Sequence, residues 1–142
     1  IDRPGEICVD AIGIGAGVVD RLQELDLPAR AINVAESSSL SQKYMRLRDE
    51  LWGRAREWFE EKNCKLPDDQ ALVQELAAPR FAFTSTGKIK IESKDEMRKR
   101  GIKSPDLADS FCLTFAGNAI VGVHGNKYAW TSTLDVDTSY VV

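Results

Sequence analysis

Residues 7–12 form an apolar run broken only by Asp10, and the run ends in glycines at 13, 15 and 17. The pattern predicts a buried strand followed by a tight turn. Val18, Val19, Leu22 and Leu25 recur at helical spacing, and Pro28 closes that helix. Residues 29–34 read as a second short strand. Strand, helix and strand at this spacing predict a parallel β-α-β unit with a right-handed crossover. After the polar stretch Glu36-Ser37-Ser38-Ser39, apolar positions at Tyr44, Leu47, Leu51, Trp58 and Phe59 predict one long helix over residues 40–61. Asp68-Asp69 can cap a further helix over 70–77, which Pro79 ends. Residues 81–83 and 89–91 alternate around Thr84-Ser85-Thr86-Gly87-Lys88 and predict a hairpin. Ser93 opens a charged helical turn over 94–100, stopped by Gly101. Ser104 as N-cap and Pro105 at the first helical position start a last helix running to about residue 116.

The expected organisation is one α/β domain over residues 1–117 and a poorly ordered Gly-, Ser- and Thr-rich tail over 118–142. A length of 142 residues suits a single core, and 43% apolar residues argue against disorder. No apolar run approaches the roughly 20 residues of a membrane span, and Ile1-Asp2-Arg3-Pro4 is no signal peptide. Without an initiator Met, a longer parent chain is expected.

Three separated cysteines (Cys8, Cys64, Cys112) without a CxxC pair point to reduced thiols. His124 is the one histidine, which disfavours Ser and Cys triads and Cys/His zinc sites. Gly13-x-Gly15-x-Gly17 departs from the dinucleotide fingerprint, and no Walker A sequence is present, so a nucleotide-binding enzyme is disfavoured. The glycines read as a tight turn beside Asp10.

Three acids stand out. Asp10 ends an apolar strand, where it could simply cap the following turn. Asp106 and Asp109 share one face at the start of the last helix. The helix dipole alone accounts for Asp106 in the first turn, but Asp109 has Leu107, Ala108, Phe111 and Cys112 as neighbours. Acids from a strand end and an early helical turn can build an all-oxygen site for Mg²⁺ or Mn²⁺. Two such ions can clamp the attacking and leaving oxygens of a phosphodiester. Without metal, convergent carboxylates should repel and raise a pKa. Net charge is −3, so any nucleic-acid partner must be read from charge placement. Lys88, Lys90, Lys94, Arg98, Lys99, Arg100 and Lys103 fall in one stretch with only Glu92, Asp95 and Glu96 among them. They could form one DNA-facing surface, or an ordinary solvated one.

At "VDAIGIGAGVVDRL", "KYMRLRDELWGRAREWFEE", "LPDDQALVQELAAPRFAF", "GKIKIESKDEMRKRG" and "SPDLADSFCLTFA", in that order over about residues 7–117, the sequence resembles the C-terminal nuclease domain of the large terminase subunit of tailed bacteriophages. The resemblance implies an RNase H-like mixed sheet flanked by helices. It implies a metal-dependent endonuclease that cuts concatemeric double-stranded DNA during packaging, with two Mg²⁺ or Mn²⁺ ions in the complete site. Asp10 matches the family's acid at the end of a later strand, and Asp106 and Asp109 match its acidic helix. Either of the pair could be the principal ligand. The family's first-strand acid is expected upstream, because Asp2 has no apolar strand around it. A chain lacking those first strands is expected to be weakly active or inactive and to self-associate through an open sheet edge. Implied partners are DNA, the portal protein and the small terminase subunit, with no membrane, in the cytoplasm of the bacterial host. The alternative is a non-catalytic DNA- or portal-docking module, or a prophage remnant.

Overall fold

The computed structural model describes residues 5–62 and 64–117. Asp2, His124 and the tail over 118–142 lie outside them. The elements are β1 (Ile7–Asp10), α1 (Gly15–Glu24), β2 (Ala29–Ile32), α2 (Leu47–Glu60), α3 (Gln70–Ala77), β3 (Phe81–Phe83), β4 (Ile89–Ile91), α4 (Lys94–Lys99) and α5 (Asp106–Leu113).

The β1-α1-β2 unit is parallel, with Ile7 opposite Ala29 and Asp10 opposite Ile32. Its register places Asp10 at the carboxyl end of the ladder, where α1 begins. Gly13 turns the chain at φ 71°. Gly15 is required for another reason: a Cβ there would lie 1.7 Å from the carbonyl oxygen of Asp10. The glycines thus seat α1 directly against the end of β1, as the turn reading predicts.

The β3-β4 hairpin is antiparallel, with Phe81 opposite Ile91 and Phe83 opposite Ile89. Among the described residues the parallel and antiparallel ladders are two separate two-stranded sheets. A parallel bridge between Tyr44 and Ile89 ties the hairpin to the segment before α2.

The core lies where α5 packs against α2 and α3, with Ile32 of β2 in the same cluster. Ile32, Leu51, Ala55, Ala108, Cys112 and Leu113 are buried there. Leu51 is 1% exposed, and its burial contributes about 2 kcal/mol. Trp58, Phe59, Phe111 and Phe115 form an aromatic cluster along the same seam, with centroids 5.1–6.0 Å apart.

Two helix starts differ from expectation, and α5 ends at Leu113 rather than near residue 116. The helix predicted from residue 40 begins at Leu47. The fully buried Glu50 is the reason. Its carboxylate accepts from Ser38 Oγ at 2.7 Å, from the Ser39 amide at 2.9 Å and from Arg54 Nε at 3.0 Å. Serving it requires residues 38–40 to curl around α2 rather than extend it. Asp49 then closes the helix start by accepting from the Arg46 amide at 2.9 Å. In α5 the N-cap is Pro105, not Ser104. Ser104 instead donates to Asp106 Oδ1 at 2.6 Å. The amides of Leu107 and Ala108 are satisfied from outside by the Glu75 carboxylate of α3, at 2.7 and 3.1 Å. Asp69 caps α3, and Ser93 with Glu96 forms a capping box on α4.

Candidate functional site

Asp10, Asp106 and Asp109 line one cavity of about 260 Å³, together with Arg48, Trp52 and Lys94. Nearly the whole described chain separates Asp10 from the other two. The β1 end, the first turn of α5 and the buried side of α2 bring them together.

Asp10 is exposed, and its Oδ1 accepts from the Ile12 amide at 3.1 Å. It therefore caps the turn, and it also faces the cavity. Asp106 and Asp109 lie one helical turn apart, and Lys94 Nζ is 3.1 Å from both carboxylates. Their i, i+3 spacing thus delivers two acids to one cation. Asp109 carries further bonds. Trp52 Nε1 donates to its Oδ1 at 2.9 Å and Arg48 Nε to the same atom at 3.2 Å. Arg48 Nη2 lies 3.2 Å from that oxygen without the alignment of a hydrogen bond. The guanidinium also reaches the Glu92 carbonyl through Nη1 at 3.0 Å.

These cations decide the electrostatics. Bonds from Ser104 and Lys94 hold the Asp106 carboxyl below its usual range, against a small desolvation cost. The expected upward shift therefore does not occur at Asp106, because Ser104 and Lys94 both bond its carboxylate. Burial works against charge on Lys94, but its bonds to Asp106 and Asp109 outweigh that and raise its pKa. Cys112 sits beneath the site, and burial pushes its thiol up, so it is an inert core residue.

The donor set fits a hard cation in chemistry: carboxylate oxygens only, two of them already sharing a positive charge. Among the described residues no group of three His, Cys, Asp or Glu side chains closes around one point. Asp106 and Asp109 are the assembled pair, with Asp10 across the cavity.

The seven basic residues divide. Lys94 is held by Asp106 and Asp109, Arg98 by Asp95, Lys90 by Glu96 at 3.8 Å, and Arg100 by Glu92. Arg100 also bonds the Ala78 carbonyl, so it ties the hairpin to the end of α3. Lys88, Lys99 and Lys103 have no ion-pair partner among the described residues. Arg48, Trp52 and Glu75 are site or supporting residues that sequence reasoning missed. For the first two a signal existed. Arg48 and Trp52 are four apart on α2, flanking Leu51 on its apolar stripe, and a Trp beside an Arg in such a place wants an acceptor for its N–H.

No family model matches the sequence, and no curated protein matches it. Solved structures do match. The nuclease domain of the large terminase subunit of bacterial virus Sf6 is 22% identical with a TM-score of 0.61, covering 76% of this chain and 64% of that one. A point mutant of that domain with manganese gives 21%, 0.61, 76% and 65%. The same mutant with manganese and beta-thujaplicinol gives 20%, 0.60, 76% and 64%. A calcium-containing structure of the domain also matches, at 21% identity. The chain thus spans just under two thirds of the domains it matches. With its β-α-β unit, hairpin and acid-bearing last helix, this chain has the fold of a phage large-terminase nuclease domain, an RNase H-like α/β fold.

Proposed function

We propose that this chain is the acid-bearing part of a metal-dependent DNA endonuclease of a phage packaging motor. One observation carries the reading. Acids from the two ends of the described chain meet in one cavity, and two of them already share a cation. The fold supports it, since the matching Sf6 domains include structures with manganese or calcium.

Asp106 and Asp109 would hold a Mg²⁺ or Mn²⁺ ion through Asp106 Oδ1 and Asp109 Oδ2, the atoms that now contact Lys94. Asp10 would add a donor across the cavity, and a two-ion site needs the first-strand acid expected from the resemblance. Bound ions would supply charge stabilisation at a phosphodiester. Among this chain's own residues, Lys94 must swing away, and Lys88, Lys99 and Lys103 remain available to duplex phosphates. The substrate is concatemeric double-stranded DNA, the partners are the portal and the small subunit, and the setting is the host cytoplasm. β1 and β2 each pair on one side only among the described residues, so a free edge could join a further strand or a second copy.

A plasmid-nicking assay with EDTA and metal add-back tests the proposal, on this chain and on one extended upstream by its reading frame. The extended chain should nick DNA with Mn²⁺ or Mg²⁺, with weak sequence preference, and this chain far less. Asp10→Asn should abolish nicking, while Asp106→Asn and Asp109→Asn should each impair it. EDTA-resistant cleavage, or full cleavage by Asp10→Asn, refutes the mechanism. DNA binding without cleavage under any divalent metal favours the docking module instead.

A further inference from the structure

Asp109 is the most constrained acid in the cavity, and its constraint comes from α2. Trp52 Nε1 and Arg48 Nε both bond Oδ1, at 2.9 and 3.2 Å, leaving Oδ2 to Lys94 at 3.1 Å. Trp52 is 8% exposed, so its indole cannot move without disturbing the core. Arg48 packs over that indole, 5.8 Å from its centroid, and bonds the Glu92 carbonyl two residues before Lys94. It therefore ties the first turn of α5 to the start of the α4 segment through one rigid guanidinium fork.

We propose that Arg48 and Trp52 are positioning residues for a cation site. They anchor Asp109 Oδ1 so that the carboxylate presents Oδ2 alone, in a fixed direction, to a divalent cation. The inference rests on the metal reading above and assigns to α2 a role beyond packing. A carboxylate free to rotate would lose orientation entropy on each binding event. One whose inner oxygen, Oδ1, is already held does not.

The test measures Mn²⁺ affinity of the 142-residue chain by the electron paramagnetic resonance signal of free Mn²⁺, so no catalysis is needed. Trp52→Phe removes one neutral donor and keeps the apolar bulk. Arg48→Lys keeps the charge and removes the fork. Each should weaken Mn²⁺ binding by about tenfold, the usual effect of losing a partner that orients a ligand. Leu72→Ala, a core change in α3, should lower the melting temperature and leave Mn²⁺ affinity unchanged, which separates positioning from stability. A second readout is the ¹⁵N-indole resonance that disappears in Trp52→Phe. In wild type it should shift saturably with Mg²⁺, and in Asp109→Asn it should not. Wild-type Mn²⁺ affinity in both variants would overturn the positioning role and leave the metal reading standing. No Mn²⁺ or Mg²⁺ response in the wild-type chain would overturn both.

Discussion

Lys94→Met is the sharpest perturbation of this site. In the folded chain the ammonium bridges Asp106 and Asp109 at 3.1 Å each. A divalent ion bound by those oxygens must first displace it. The Asp106 carboxylate is 75% exposed and Lys94 itself 46%, so that pair belongs near the low end of exposed ion pairs. The Asp109 carboxylate is 21% exposed, which puts its pair nearer the upper end. With exposed pairs at ~0.2–1 kcal/mol, the two together contribute about 1 kcal/mol after solvent screening. Methionine keeps the length and apolar stem but has no charge. The metal-free variant should therefore lose about 1 kcal/mol, or a melting temperature lower by roughly 4 °C for a chain of this size. The same energy no longer opposes the ion. Mn²⁺ affinity should rise by about fivefold, since 1.4 kcal/mol is a factor of ten. The relation is reciprocal, so added Mn²⁺ should raise the melting temperature more in the variant than in wild type. Thermal melts with and without Mn²⁺, plus the resonance titration of free Mn²⁺, measure both halves. Equal or weaker Mn²⁺ binding by Lys94→Met would show that the ion does not take the place of the ammonium, and would sink the geometry proposed for the site.

Glu50→Ala should cost about 1–3 kcal/mol in urea unfolding, because it leaves the buried Ser38 hydroxyl and the half-buried Arg54 guanidinium without their acceptor; Ser39→Ala, which removes one hydroxyl, should cost about 1 kcal/mol. Gly15→Ala should destabilise by about 3 kcal/mol and displace Asp10, since its Cβ meets the Asp10 carbonyl, whereas Gly17→Ala, with open space around it, should stabilise α1 by about 0.5–1 kcal/mol. Arg100 holds the Glu92 carboxyl down at about 2, helped by the Arg80 amide. Because that folded value lies below the unfolded one, the stabilisation is full above about pH 4.3 and disappears as pH falls toward 2. The melting-temperature gap between wild type and Arg100→Gln should therefore be open at pH 5 and close by pH 2, and a gap independent of pH would refute the coupling.

The elements that sequence alone determined are those built by local rules. Asp69 caps α3 through its own neighbours, Gly87 turns the hairpin, and the Ser93–Glu96 box starts α4. Residues 70–77, 81–83 and 89–91 accordingly form the predicted elements. Three acids were also legible as unusual, because a charge amid apolar neighbours needs a reason. The helix starts were only partly legible: α5 begins at Asp106, one residue after the start read for it, and α2 begins at Leu47, well after residue 40. Glu50 draws residues 38–40 out of the helix, and Glu75 caps α5 from another element. The basic stretch read as one surface, but hydrogen bonds across elements commit Lys94 and Arg100 to the fold's own acids. Only tertiary structure could place Lys94 between Asp106 and Asp109, and Arg48 with Trp52 behind them, because sequence spacing encodes which residues share a helical face and carries no information on what packs against that face.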